Sequence, residues 1–254
     1  SDLLFLQASH IAILAVGMVL IIVAGHIDLS VGSIMGFIGA VAAVLNVNAG
    51  WPVIPVIVVS LALGVLIGLW QGYWVAYRGI PAFIVTLAGM TIFRGGIIAV
   101  TGGATIAPLD DAFRAIGQGY VPRILNPEAR TGFHEVSAVI AVIFIVAFVI
   151  LQVRNRRTRV KYGFDVLPPR VEALRLLFIS AIIGLFFGTL VFYRGIPYVV
   201  LIILGLVLLY TFLAENTVFG RQVYAMGGNK EAARLSGINI RQRTLAIFVS
   251  MGTL

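Results

Sequence analysis

Cysteine is absent from the 254 residues, which excludes disulfides and thiolate metal sites. Charge is scarce too: eighteen basic and ten acidic side chains make up 11% of the chain, against roughly a quarter in soluble globular proteins. The three histidines, His10, His26 and His134, make no metal pair at helical spacing. No Gly-x-x-x-x-Gly-Lys-Ser/Thr loop occurs, and Gly102-Gly103 alone is no nucleotide motif, so the chain cannot be its own ATPase. No paired carboxylates and no Ser/His/Asp set converge from spacing, and no catalytic residue, metal or cofactor is expected.

What fills the chain instead is apolar. Hydrophobic residues are 60% of it, and the mean hydropathy is +1.06. The fold class expected is all-α, a polytopic helical membrane protein with broken helices near the N-terminus. The pI near 10.3 does not point to nucleic acid. The bases sit in loops between apolar runs, which is a topology signal, not a binding face.

A helix needs about 17 to 25 residues to cross a bilayer. Runs of that order fall at 9–25, 53–77, 82–101, 136–153, 176–193 and 196–213. The run 34–45 is too short to cross alone unless the polar interruption at 25–33 lies within the membrane. Such a break survives only inside protein or beside a water-filled cavity. Residues 46–52 read as a turn, and Gly64, Gly68 and Gly72 recur every four residues, on one face of their span, where a neighbouring helix can come close. Segment 102–135 is an extracytoplasmic loop with Asp110, Asp111, Glu128 and Glu135 against Arg114, Arg123 and Arg130, long enough for a small structure around 109–116.

Twelve of the eighteen Lys and Arg residues lie in two segments, 154–175 and 214–243, separated by two spans. Both therefore fall on one side, and the positive-inside rule makes that side the cytoplasm. The chain opens on Ser1 and ends at Leu254 inside an apolar run, as expected of a piece of a longer protein whose residues 1–254 form one transmembrane domain.

Residues 68–81 and 184–197 agree at nine of fourteen positions without a gap, both ending Tyr-Arg-Gly-Ile-Pro. Arg78, Gly79 and Pro81 close the first copy, and Arg194, Gly195 and Pro197 the second. Three spans separate them, so the two turns should face opposite sides, the mark of an inverted-topology repeat with a path between the halves. The alternative is a reused helix-turn element without functional meaning.

The polar island at 227–240 carries a short, terminated helix. Asn229 can cap it, Glu231 suits its positive end, and Gly237 is placed to end it. Ala232, Ala233 and Ser236 are small enough to let another surface approach, with Leu235 and Ile238 as apolar grip. Glu231-Ala232-Ala233, then Gly237 after three residues and Ile247 after nine more, is similar to the EAA signature of membrane subunits of ATP-binding-cassette importers. Val249-Ser250 stands where that signature often closes with Leu-Pro. Residues 223–229 and 232–238 more narrowly resemble the ribose/xylose-type monosaccharide permeases, the xylose type above all.

The same permeases carry a Gly-Ile-Asp-Leu-Ser-Val-Gly segment, here Ile27 to Gly32 with His26 in place of a second glycine. Asp28, Ser30 and Gly32 are the candidates for the substrate path, since an ionisable residue at membrane depth marks function. The competing reading makes Asp28 a helix cap, with Gly32 and Ser33 allowing tight packing. The resemblance implies a multi-pass permease subunit of the bacterial inner membrane, surrounded by lipid. It also implies a second permease copy, a cytoplasmic ATPase, a periplasmic sugar-binding protein and a pentose substrate. In that scheme Glu231, Ala232, Ala233, Arg234, Ser236 and Gly237 couple to the ATPase. An ion-coupled secondary transporter using His26 and Asp28 is the alternative; a membrane scaffold would leave both features unexplained.

Overall fold

The computed structural model describes residues 2–124 and 132–254. Glu128 and Arg130 lie outside them. Among the described residues eleven α-helices follow in order: α1 (Asp2–Val23), α2 (Val31–Ala43), α3 (Val53–Ala76), α4 (Ala82–Thr101), α5 (Asp111–Gln118), α6 (Glu135–Lys161), α7 (Pro169–Val191), α8 (Tyr198–Asn216), α9 (Val218–Gly228), α10 (Lys230–Leu235) and α11 (Ile240–Gly252). The only β pairing among the described residues is an isolated bridge from Tyr120 to Pro197. Among the described residues six helical stretches are long and apolar enough to cross a membrane, and α1 adds a shorter apolar stretch, Ala8–Val23. Along them large apolar side chains point outward, such as Ile54, Val58 and Leu66 in α3 and Leu174, Leu177 and Leu185 in α7. That inverts the pattern of a water-soluble surface and suits a hydrocarbon surrounding.

The run at 34–45 is longer than it reads. α2 starts at Val31 and continues through one π-helical turn, Val44–Asn48, so Val31–Asn48 is a full span of 18 residues. Its polar end is tolerated because Asn46 is buried and bonded twice: its amide donates to the Trp51 carbonyl at 3.1 Å, and its Oδ1 accepts from the Asp110 N–H at 3.0 Å. The polar interruption therefore lies between the end of α1 and the start of the Val31–Asn48 span, at residues 24–30, not in the middle of one helix. Two further differences extend helix into segments expected to be loop. α6 runs on through Lys161, leaving only 162–168 as the connection to α7, and α9 occupies 218–228.

The contacts divide the chain into two compact units, Ser1–Gly117 with Ile202–Leu254, and Gln118–Leu201. In the first, a core of Leu20, Ile21, Val75, Val85, Val223, Ile247 and Phe248 joins α1, α3, α4, α9 and α11. The densest packing is α3 against α11, and glycine makes it. A Cβ on Gly64 would sit 1.9 Å from the Gly252 carbonyl oxygen, and one on Gly68 2.5 Å from that of Phe248. Backbone meets backbone, as small-residue spacing in membrane helices permits. In the second unit, Val121, Ala141, Phe187, Leu190 and Ile196 form the core. His134 pins it: Nδ1 accepts the Ser137 N–H as the cap of α6, Nε2 lies 3.0 Å from the Val121 carbonyl, and the His134 N–H donates to Val191.

Gly68→Val should therefore force α3 and α11 apart, costing about 1–3 kcal/mol and lowering the apparent Tm of the detergent-purified protein by several degrees. Gly39→Ala, with nothing within 4 Å of the added Cβ, is the control and should not lower it.

Candidate functional site

The break between α1 and α2 is built from paired polar groups. α1 ends in a Schellman closure: Gly25, at φ +77°, donates to Ile22 at 2.9 Å and His26 to Ile21 at 3.0 Å. Three residues on, Asp28 Oδ1 accepts both the Ser30 N–H at 2.8 Å and the Ser30 hydroxyl at 2.6 Å. The Ser30 carbonyl then takes the first N–H groups of α2, from Ser33 and Ile34. Asp28 is thus an Asx turn ahead of the helix, while Ser30 holds the N-cap position.

Two neighbouring helices grip this turn. From α3, Gln71 Nε2 donates to Ser30 Oγ at 2.8 Å. From α4, Thr86 Oγ1 accepts the Leu29 N–H at 3.2 Å. Gly89 provides the notch for Gln71, since a Cβ there would lie 2.5 Å from Nε2. Asp28, Ser30, Gln71 and Thr86 are each no more than 4% exposed. The result is a buried clasp between the starts of α2 and α4 and the last turns of α3. Beside it lies a cavity of about 200 Å³ with Asp28, Gln71 and Ser60 among apolar walls that include Met35, Ile57 and Phe248.

Of the three expected path residues, Asp28 and Ser30 are thus brought together in the clasp. Gly32 is not part of it, and no atom lies within 4 Å of where its Cβ would be, so it permits no close packing. His26 is not paired with Asp28 either: its ring faces Phe248, with centroids 6.0 Å apart. Gln71 and Thr86 are the residues that sequence reasoning missed. The signal for Gln71 was a lone carboxamide in a largely apolar 24-residue helix.

The second candidate element is α10. Asn229 caps it through Oδ1 to the Ala232 N–H at 2.9 Å, and Gly237, at φ +83°, ends it with a second Schellman closure. Glu231 and Arg234 pair at 3.2 Å on its surface. Ala232, Ser236 and Leu235 face outward, Leu235 being 80% exposed. Ala233 does not share that face, because it is buried against the chain itself.

The two repeat turns have the same local form: a helix, a glycine at φ +70° (Gly79) or +95° (Gly195), Ile-Pro, and a new helix. Their arginines lie over tyrosine rings, Arg78 over Tyr73 and Arg194 over Tyr193, each at 5.7 Å. The surroundings differ, because Gly195 and Pro197 are buried, with His134 against Gly195, while Gly79 and Pro81 are exposed. Among the described residues, no group of His, Cys, Asp or Glu is arranged to hold a metal.

Because Ser30 and Gln71 share one hydrogen bond, the changes Ser30→Ala and Gln71→Leu should not add. The double variant should cost about 1 kcal/mol less in unfolding stability than the sum of the two. Strict additivity would show that the clasp is not one unit.

A family model described as a branched-chain amino acid transport system permease component matches residues 2–160 and 124–254. The xylose transport system permease protein of Escherichia coli K12 is 46% identical over 97% of this chain and 60% of its own length. That of Haemophilus influenzae is 41% identical over 98% of this chain and 63% of its own length. The ribose import permease protein of Haemophilus influenzae is more distant, 30% identical over 98% of this chain and 55% of its own length. The chain thus spans a little over half the length of the curated relatives it matches, and no solved structure matches it. With its bundle of apolar helices and a match that runs nearly end to end, the chain belongs to the family of branched-chain amino acid transport system permease components.

Proposed function

We propose that this chain is the membrane-spanning permease part of an ATP-driven importer of a pentose, xylose before ribose. The observation that carries the reading is the identity to two xylose permeases, 46% and 41%, against 30% to a ribose permease. The geometry of α10 supports it. A capped helix with an outward Leu235, Ala232 and Ser236 is a surface made to be held, and a cytoplasmic ATPase is the partner that the reading supplies. Energy comes from that subunit. A second permease copy and a periplasmic sugar-binding protein complete the assembly, in the bacterial inner membrane.

Chemically, the break can do two things for a sugar. The carboxylate of Asp28 accepts hydrogen bonds, and Gln71 and Ser60 on the same cavity offer both donors and acceptors among mostly apolar walls. Polar groups few in number and fixed in place suit a pathway that must release its substrate. His26 and Asp28 have no bond between them that would make a shared proton site, which weighs against the ion-coupled alternative.

The test is uptake of labelled xylose by proteoliposomes holding the permease with its ATPase and binding protein. Uptake should require ATP and survive collapse of ion gradients. Asp28→Asn keeps shape and an acceptor oxygen, and should retain substantial uptake; Asp28→Leu leaves the Ser30 N–H and hydroxyl without their partner, a loss of about 1–3 kcal/mol, and should lose much more. Loss in both variants, with uptake that follows an ion gradient and not ATP, would favour the ion-coupled transporter. Near-normal uptake by both would leave Asp28 a structural turn.

A further inference from the structure

The segment that leads into α10 brings its backbone against the break. Gly227, in the last turn of α9, lies so near the end of α1 that a Cβ there would be 1.7 Å from the Val23 carbonyl oxygen and 2.9 Å from its carbon. Val223 and Met226, buried one turn and one residue earlier, hold α9 in place; Val223 packs with Leu20, Ile21 and Ala24 of the same core. Asn229 serves at once as C-cap of α9 and N-cap of α10, so a single residue joins the two helices. Asn229 thus joins α10 directly to the turn of α9 whose Gly227 meets the backbone of Val23 and Ala24.

On the far side of that contact the chain turns at a glycine and is then held. Gly25 sits at φ +77° with nothing within 4 Å of a Cβ position. Beyond it, Leu29 and Ser30 are fastened to α4 and α3 through Thr86 and Gln71, and Ser30 is the N-cap of α2. Pressure at one end, a glycine pivot and a buried anchor at the other are the parts of a lever.

We propose that Gly227 is a positioning residue through which the ATPase-docking segment works on residues 24–30, and that this loop transmits the movement to the start of α2 beside the Asp28 cavity. The inference rests on the importer reading and adds to it the place where the movement enters the spans. It requires hydrogen at position 227, because any side chain would hold α9 off the end of α1.

The experiment uses the complete transporter with its ATPase and binding protein. Ile27, 58% exposed in the middle of the loop, is replaced by cysteine. Its rate of maleimide labelling should differ between the nucleotide-free state and the ATP-plus-vanadate-trapped state by about fivefold or more, the lower end of typical allosteric coupling. Gly227→Ala on that background should abolish the difference. The same variant should import xylose at least about tenfold more slowly while ATP hydrolysis stays within about twofold, an uncoupling that a mere folding defect does not produce.

An Ile27→Cys rate that trapping leaves unchanged in the otherwise unmodified complex overturns the lever, and this readout does not depend on Gly227→Ala folding. So does a Gly227→Ala transporter that keeps both the labelling change and uptake, or one in which hydrolysis and uptake fall together. A complex that hydrolyses ATP and imports xylose but whose loop is unmoved sinks the lever alone. One that does neither sinks the importer reading with it.

Discussion

A chain inside a bilayer has no water to satisfy its backbone, so it changes direction only where every freed N–H and carbonyl finds a partner within the protein. That constraint explains the shape of residues 24–30. The last carbonyls of α1 are closed by Gly25 and His26, the N–H of Leu29 goes to Thr86, that of Ser30 to Asp28, and the carbonyl of Ser30 starts α2. The polar side chains that looked functional in isolation are also what make the turn possible. The structural role of Asp28 does not exclude the proposed one in transport: a carboxylate fixed by Ser30 through one oxygen is positioned on the cavity wall by the same bonds that hold the turn.

The other half of the frame is glycine. In lipid, apolar side chains gain little by leaving one apolar surrounding for another, so helix pairs hold by close van der Waals contact. Gly64, Gly68 and Gly252 bring α3 and α11 to backbone contact. α11 follows α10 after four residues, with Asn239 capping it through the Gln242 N–H at 3.1 Å. α10 is thus flanked by two backbone contacts, Gly227 on α1 behind it and the α3–α11 pair ahead, while Ala232, Leu235 and Ser236 are exposed. Tyr210 ties α8 to the same pair through the Ser250 hydroxyl at 2.7 Å.

Much of this was legible beforehand because it depends on local chemistry. Span positions followed from apolar length, the α3 packing face from a four-residue glycine spacing, and α10 from Asn229 and Gly237, whose roles as cap and terminator are decided by backbone conformation. What was not legible depends on residues distant in the chain. Asn46 reads as a turn residue until Asp110 and Trp51 are placed beside it, and the span then lengthens to Asn48. Gln71 lay in view within the repeat, but its partner Ser30 is 41 residues away and the notch that admits it is Gly89. Ala233 had the right size for an interface, yet side-chain volume does not say which way a six-residue helix is turned.

The proposed importer reading requires a single sidedness: the loop at 24–30, the first repeat turn and α10 at the cytoplasmic end of the spans, and the second repeat turn and α5 on the opposite side of the membrane. Single cysteines at Arg78, Asn229, Asp111 and Arg194, all exposed, test it with a membrane-impermeant maleimide on intact cells and inside-out vesicles. Arg78→Cys and Asn229→Cys should label only in inside-out vesicles, and Asp111→Cys and Arg194→Cys only on intact cells. Labelling of Asn229→Cys from outside, or of both arginine positions from one side, would contradict it.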